Sequence, residues 1–241
     1  ENIKLLSGPG CPVCVTDKKY IDRVVAYCKL PDVIITTFGD LIRVPGSSST
    51  LAKEKARGTD VRTVYSSLEA LKIAAENQDK KVIFLGIGFE TTAPTSAAAI
   101  LDAEKENINN FYLFSAHKIM PPAMAALIDE GITINGYMCP GHVTAVTGTS
   151  MYLPLVDKYR ISCVISGFEP VDMMQSLYLL VKQQENRMPA VEIQYTRAVT
   201  PEGNRKAQAV MDAVKDSAVI STDTDGDIRS FSSGASELFG W

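Results

Sequence analysis

The chain has 241 residues, with 24 Lys and Arg against 28 Asp and Glu, and a formal net charge of −4. Its 46% hydrophobic and 22% charged residues are typical of a globular protein and exclude a collagen-like or disordered chain. The mildly acidic balance argues against nucleic-acid binding, since phosphates require a basic surface. No apolar run approaches the roughly 20 residues that a membrane-spanning helix needs.

Five cysteines lie at positions 11, 14, 28, 139 and 163. An odd number at this low density does not suit a secreted disulfide framework, so the sequence predicts a reducing, cytoplasmic compartment. Cys28 and Cys163 lie within apolar stretches and are predicted to be inert core residues. The opening Glu1-Asn2-Ile3-Lys4 has neither an initiator Met nor a signal-like region, which indicates a cut inside a longer chain.

Short β-branched runs alternate with helical patterns along most of the chain. The predicted strands are 33–37, 61–65, 82–87, 110–115, 134–138, 161–166 and 191–195. Pro94, Pro121 and Pro170 each lie near a predicted helix start, where the missing N–H does no harm. Strands that alternate with helices predict parallel βαβ units and therefore an α/β fold.

A short repeat divides the chain. Gly88-Phe89-Glu90 follows a predicted strand and precedes a Pro-containing helix start, and so does Gly167-Phe168-Glu169. The repeat predicts two Rossmann-like parallel-sheet halves that face a cleft. Residues 1–110 would form the first half with the CxxC loop, and residues 111–217 the second half with the Cys-Pro-Gly-His motif and a connector helix. From 218 to 241 the pattern becomes strand, Asp-Gly turn, strand and short helix, which predicts a separate C-terminal β-hairpin and helix piece.

The sharpest local signal is Gly8-Pro9-Gly10-Cys11-Pro12-Val13-Cys14. Its glycines and prolines predict an irregular loop that presents two thiols at CxxC spacing. This spacing lets both sulfurs reach one metal ion or one disulfide, and it commonly lowers the pKa of a thiol. The motif predicts redox work or metal binding by Cys11 and Cys14, with two unrelated structural cysteines as the alternative.

A second loop, Cys139-Pro140-Gly141-His142, follows a predicted strand and has CxxH spacing. Together with Cys11 and Cys14, its cysteine and histidine would make a Cys₃His zinc site. The two pairs are far apart in the sequence, whereas structural zinc motifs usually have short spacings.

Two more candidates lie where predicted strands end. Glu90 follows a glycine-rich turn, where it would act as a proton carrier or would simply place a charge at a helix N-terminus. His117 is the residue before Lys118. Ligands of open α/β sheets gather outside the carboxyl ends of the strands. Glu90, His117, Cys139 and His142 are therefore predicted to share a cleft.

Several motifs occur here in the order in which they occur in the HypD family of hydrogenase maturation proteins, which the chain resembles over about residues 1–214. They are Gly8-Pro9-Gly10-Cys11-Pro12-Val13-Cys14, Val44-Pro45-Gly46-Ser47, Gly88-Phe89-Glu90-Thr91-Thr92-Ala93-Pro94, His117-Lys118 with Pro121-Pro122-Ala123-Met124, Cys139-Pro140-Gly141-His142-Val143, Gly167-Phe168-Glu169-Pro170, and Tyr195-Thr196-Arg197-Ala198-Val199 followed by Glu202-Gly203-Asn204.

The resemblance implies a scaffold on which the Fe(CN)2CO unit of NiFe hydrogenase is assembled, rather than a conventional turnover enzyme. It implies a HypC-like small chaperone and a HypE-like cyanide donor as partners. The family's redox-active dithiol near the iron maps onto Cys11 and Cys14. The resemblance also carries over His142, Glu90 and His117 as cleft residues, with His142 as a candidate metal ligand and Cys139 as a candidate cofactor-binding residue.

The sequence departs from the family in two segments. The family has an upstream Cys-Gly-Thr-His motif whose cysteine helps to hold the iron, and C-terminal cysteines that bind a 4Fe–4S cluster. The sequence contains neither segment. None of its cysteines begins a Cys-Gly-Thr-His motif, and no cysteine follows Cys163. Residues 218–241 instead resemble the opening of a PAS sensor domain. The alternatives are therefore a zinc-stapled, non-catalytic binding module, or a HypD-like sensor fused to a PAS signalling domain.

Overall fold

Strands and helices alternate along the chain, which confirms the predicted α/β class. The computed structural model describes residues 3–8 and 10–214 with their side chains, and the backbone of residues 219–222 and 228–231. Each strand predicted from the sequence is present, with ends shifted by at most two residues. No helix within the described ranges is both long enough and apolar enough to cross a lipid bilayer.

The strands are β1 (Val33–Thr37), β2 (Asp60–Thr63), β3 (Lys81–Gly86), β4 (Phe111–Ser115), β5 (Gly136–Pro140), β6 (Ser162–Ser166), β7 (Val191–Ile193), β8 (Val219–Thr222) and β9 (Ile228–Phe231). The helices are α1 (Lys18–Tyr27), α2 (Leu51–Ala56), α3 (Ser67–Glu76), α4 (Ala93–Lys105), α5 (Met120–Asp129), α6 (Gly141–Thr147), α7 (Leu153–Tyr159), α8 (Pro170–Glu185) and α9 (Arg205–Ala213), with short 3-10 helices at Gly39–Arg43 and Ser150–Tyr152.

The chain divides into two compact units, and each unit is made of more than one stretch of the sequence. The second unit consists of Phe89–Pro94 and Ile119–Asp212, and the remaining described residues form the first. The division differs from the expected boundary at residue 110, because β4 pairs in parallel with β3 and so continues the first sheet. The cleft between two halves stays a prediction.

The first unit is built on one sheet with the strand order β2-β1-β3-β4-β8-β9. The pairs from β2 to β8 are parallel, and β9 runs antiparallel to β8. An antiparallel pair at this place agrees with the predicted hairpin, although its strands extend the first sheet instead of forming a separate one. The predicted Asp-Gly turn and the PAS-like residues after 231 lie outside the described residues.

Helices cover both faces of this sheet, which explains why its central strands read as continuous apolar runs. On one face, α1 packs Tyr20 and Val24 against Ile35 and Phe114. The Tyr20 ring stacks on Phe114 at 4.5 Å between centroids, and its hydroxyl donates to the Phe114 carbonyl at 2.8 Å. The opposite face packs on the small residues of α3 and α4. The first unit therefore has a hydrophobic core on each side of its sheet.

The second unit is built on the parallel three-stranded sheet β5-β6-β7. Its core combines Cys139 and Cys163 from the strands with Tyr152 and Leu155 from the segment that follows α6. Helix α8 packs against β6 and β5. The loops after β5 and β6, at the carboxyl ends of these strands, carry the Cys-Pro-Gly-His and Gly-Phe-Glu motifs.

Candidate functional site

The CxxC pair lies in the turn that leads into α1. The Thr16 hydroxyl donates to the Pro12 carbonyl at 2.8 Å, and the Thr16 N–H donates to the Val13 carbonyl at 3.2 Å. The Val13 side chain packs against the core beneath α1. This anchoring fixes the backbone between the two cysteines, so that the Cys14 N–H donates to the Cys11 Sγ at 3.2 Å.

The two thiols have opposite electrostatic environments. Hydrogen bonds from the Cys14 thiol and backbone lower the pKa of Cys11, although the nearby charge of Asp40 opposes them. The interaction with the Cys11 thiol, and to a lesser extent burial, raises the pKa of Cys14. Cys14 is exposed and Cys11 is half-buried. The pair is therefore accessible to reagents and polarised toward a Cys11 thiolate.

His117 also belongs to the first unit, in the loop after β4. Its Nδ1 lies 2.9 Å from the Ser115 Oγ and its Nε2 lies 3.4 Å from the Ser96 Oγ. The ring packs over Gly86, where an added Cβ would come within 2.9 Å of it. Burial lowers the pKa of His117 to about 4, so the imidazole is neutral at physiological pH.

Glu90 belongs to the second unit and is only 6% exposed. Its Oε1 accepts a hydrogen bond from the Met120 N–H at 2.7 Å and so caps the start of α5. Its buried Oε2 has no hydrogen-bond partner among the described residues. One carboxylate oxygen of Glu90 thus binds the start of a helix, as predicted, and the other is buried without a hydrogen-bond partner among the described residues.

His142 lies in the first turn of α6 with its side chain exposed. Its ring centroid is 5.1 Å from that of Phe168, which is itself 68% exposed. Gly141 allows this loop to approach β6 closely, because an added Cβ would lie 2.6 Å from both the Ser166 carbonyl oxygen and the Tyr195 ring. The Cys-Pro-Gly-His and Gly-Phe-Glu motifs are therefore neighbours at one edge of the second sheet.

An ion pair braces this edge. Arg197 donates through both terminal nitrogens to Asp172, a residue of the first turn of α8 with only 4% of its side chain exposed. Gln194 donates to the same carboxylate at 3.1 Å. These hydrogen bonds lower the pKa of Asp172 to about 2. The pairing ties the start of α8 to the loop after β7.

Cys139 has a different environment from the one expected for a ligand. Its side chain is 1% exposed in the core of the second unit, where its thiol interacts with that of Cys163. Burial raises the pKa of Cys139 well above that of a free thiol. The thiolate that a zinc or iron ion requires is therefore disfavoured at this position.

The structure thus brings Cys11 and Cys14 together in the first unit, which also contains His117. Glu90, Cys139 and His142 belong to the second unit. Among the described residues no group of three or more His, Cys, Asp or Glu side chains is arranged to hold a metal ion.

Sequence reasoning assigned no role to several residues that hold these groups in place. They are Ser96, Ser115, Asp172 and Arg197. The sequence does indicate a contact for Ser115, since this residue lies two positions before His117 at the end of a predicted strand. Ser96 and the ion pair come from distant segments, and only the folded chain joins them.

Each unit is built on a sheet with helices packed on it, and both sheets are parallel apart from the β8–β9 pair of the first. The first unit also presents Cys11 and Cys14, joined by a hydrogen bond from the Cys14 N–H to the Cys11 Sγ. These features define an α/β protein with an accessible dithiol. A family model described as "HypD: Hydrogenase formation hypA family" matches residues 1–223. The chain belongs to this family.

Curated relatives agree with this assignment. A hydrogenase expression/formation protein of Methanocaldococcus jannaschii is 44% identical over 217 residues, which is 90% of this chain and 60% of the relative. Hydrogenase maturation factor HypD of Escherichia coli K12 is 43% identical over 209 residues, covering 86% of this chain and 56% of its own length. HypD of Rhizobium leguminosarum bv. viciae is 43% identical over 216 residues, which is 86% of this chain and 56% of the relative. The chain thus spans a little under two thirds of the length of these relatives.

Proposed function

We propose that this chain acts in hydrogenase maturation, as a scaffold on which the Fe(CN)2CO unit of NiFe hydrogenase is assembled. The observation that carries the proposal is the hydrogen-bonded Cys11–Cys14 pair, in a chain whose relatives are named hydrogenase maturation factors. The pair serves as a redox dithiol that cycles between two thiols and a disulfide. We assign the protein to the cytoplasm, because its five free cysteines suit a compartment that keeps thiols reduced.

The environment of the cysteines favours a dithiol over a zinc staple. A Cys₃His site would need a deprotonated Cys139, and that thiol lies in an apolar core with a raised pKa. Cys11 and Cys14 remain accessible, and the Cys14 N–H donates a hydrogen bond to the Cys11 sulfur. The second alternative, a sensor fused to a PAS domain, concerns residues 218–241 and stays a prediction.

In this proposal the iron unit is cargo rather than a resident cofactor. His142 suits a role at the iron because its imidazole is exposed and carried by α6. Glu90 and His117 are proposed as functional residues of their own units, Glu90 because its buried Oε2 has no hydrogen-bond partner among the described residues and His117 because its imidazole is neutral. We assign Cys139 a place in the core instead of cofactor binding, because its thiol is buried.

The proposed partners are a HypC-like small chaperone and a HypE-like cyanide donor. A 4Fe–4S cluster is proposed only for longer relatives, because the printed sequence has no cysteine after Cys163 to bind one.

Complementation tests the proposal. A strain that lacks its own HypD would receive the full-length protein that contains this sequence, its Cys11→Ser variant, or a Cys28→Ala control, in which the thiol removed is buried in the core. Hydrogenase activity should return with the unaltered protein and with Cys28→Ala, and be lost with Cys11→Ser at an equal protein level. Full activity of the Cys11→Ser variant would contradict the redox role. Failure of the unaltered protein would contradict the scaffold role.

A further inference from the structure

We propose that the two thiols have fixed and different roles, in which Cys11 is the attacking thiolate and Cys14 is the resolving thiol. The inference rests on the proposed redox function and specifies how that function is carried out. It follows from the direction of the hydrogen bonds in the loop between Pro12 and Thr16.

The backbone geometry makes Cys11 the acceptor of the pair. The Cys14 N–H points at the Cys11 Sγ from 3.2 Å, and a backbone N–H cannot reverse its direction. Thr16 holds the turn closed through the Pro12 and Val13 carbonyls. A sulfur that receives a fixed donor is stabilised as the thiolate, in the same way as an anion at a backbone nest.

Side-chain interactions act in the same direction. The interaction between the two thiols lowers the pKa of Cys11 and raises that of Cys14. Exposure alone would give the opposite order, because Cys14 is exposed whereas Cys11 is half-buried. The two effects therefore predict different first nucleophiles, and an experiment can separate them.

The reaction is a thiol–disulfide exchange with an accessible disulfide of a partner protein or small molecule. The Cys11 thiolate attacks one sulfur of that disulfide, forms a mixed disulfide and expels the other sulfur as a thiolate, which takes a proton from solvent. Cys14 then loses its proton to solvent and attacks the Cys11 Sγ. This second step closes the Cys11–Cys14 disulfide and releases the second thiol. The partner disulfide gains two electrons and the CxxC pair loses two.

Single-cysteine variants of the pair test the order of attack. Cys14→Ser leaves Cys11 with the backbone donor and a hydroxyl donor, Cys14→Ala leaves only the backbone donor, and Cys11→Ser isolates Cys14. The alkylation rate of the remaining thiol with iodoacetamide would be followed from pH 5 to 10 by mass spectrometry of its peptide. The midpoint pH should rise in the order Cys14→Ser, Cys14→Ala, Cys11→Ser.

The rate at pH 7 gives a second measure. Below both pKa values, a pKa lower by one unit gives ten times more thiolate, and the lower basicity of that thiolate reduces the gain to about threefold. Cys11 in Cys14→Ser should therefore react several-fold faster than Cys14 in Cys11→Ser. With 5,5′-dithiobis(2-nitrobenzoate), Cys14→Ser should also form the mixed disulfide several-fold faster.

Buried thiols provide the internal control for folding. Cys28 and Cys163 should stay unalkylated in all variants under native conditions, because both are buried. Equal midpoints, or a lower midpoint for Cys14, would overturn the assignment of roles while leaving a redox dithiol intact. If the unaltered chain forms no reversible Cys11–Cys14 disulfide with the same reagent, the proposed redox function fails instead.

Discussion

The Cys11 sulfur lies 3.2 Å from the backbone nitrogen of Cys14, so the second cysteine of the motif donates to the first. Because the sulfur is anchored by main chain, the loop itself favours charge on Cys11 even before a partner approaches. Spacing alone indicates that two thiols can meet, whereas the hydrogen bond distinguishes them. This difference between the two thiols is the basis of the prediction for Asp40.

Asp40 opposes the Cys11 thiolate, because its negative charge raises the pKa of Cys11. Replacing it with Asn should lower the midpoint pH of Cys11 alkylation and increase the rate at pH 7, by less than about threefold. Asp79→Asn, the same change at another exposed acidic residue, should leave the rate unchanged. Equal rates in the two variants would show that Asp40 does not act on the pair.

His117 should make the protein less stable in mild acid. Its folded-state pKa is about 4 against an ordinary value of 6.5, so the unfolded chain binds the extra proton between these values. The free energy of unfolding should therefore fall by about 2 kcal/mol between pH 7 and pH 5 through this residue alone. Urea unfolding at pH 7 and at pH 5, followed by circular dichroism, measures this change in the free energy of unfolding.

In that experiment His117→Gln should lose about 2 kcal/mol less than the unaltered chain between the two pH values. Parallel stability curves for His117→Gln and the unaltered chain would show that the imidazole is not held neutral.

Gly141→Ala should destabilise the second unit. An added Cβ would lie 2.6 Å from the Ser166 carbonyl oxygen and from the Tyr195 ring, so β6 or the loop after β7 must shift. Overpacking of this kind costs about 1–3 kcal/mol. Gly8→Ala is the control, because an added Cβ meets nothing within 4 Å there. Similar unfolding midpoints for the two variants would contradict the close packing at this edge.

Arg197→Met removes the charged partner of a nearly buried carboxylate. Asp172 would keep the Gln194 hydrogen bond but lose both bonds from the guanidinium, which should lower the free energy of unfolding at pH 7. The pKa of Asp172 is lowered to about 2, so this stability is present above about pH 4 and is lost as the pH falls toward 2.

The variant should accordingly show a smaller loss of stability between pH 5 and pH 2 than the unaltered chain. Arg205→Met, at an exposed arginine of α9, serves as the matched control in the same denaturation series. If both variants have the same stability at pH 7, the ion pair contributes nothing to the fold.

The sequence predicts the strands closely, because runs such as Val33–Thr37 are buried on both faces and consist of β-branched residues throughout. The CxxC loop was readable for a similar reason, since Cys11 and Cys14 are local neighbours. The burial of Cys139 was not readable, because the face of β5 that points inward depends on the helices packed on it. The contact of Glu90 with the Met120 N–H likewise joins segments 30 residues apart that only folding brings together.

The central claim is that Cys11 and Cys14 form a redox dithiol. Elemental analysis combined with free-thiol titration and peptide mapping of the anaerobically purified chain tests it most directly. The account predicts little bound zinc and one disulfide, between Cys11 and Cys14, that forms on oxidation and is reversed by dithiothreitol. One zinc ion per chain that shields Cys11, Cys14 and Cys139 from alkylation would contradict it.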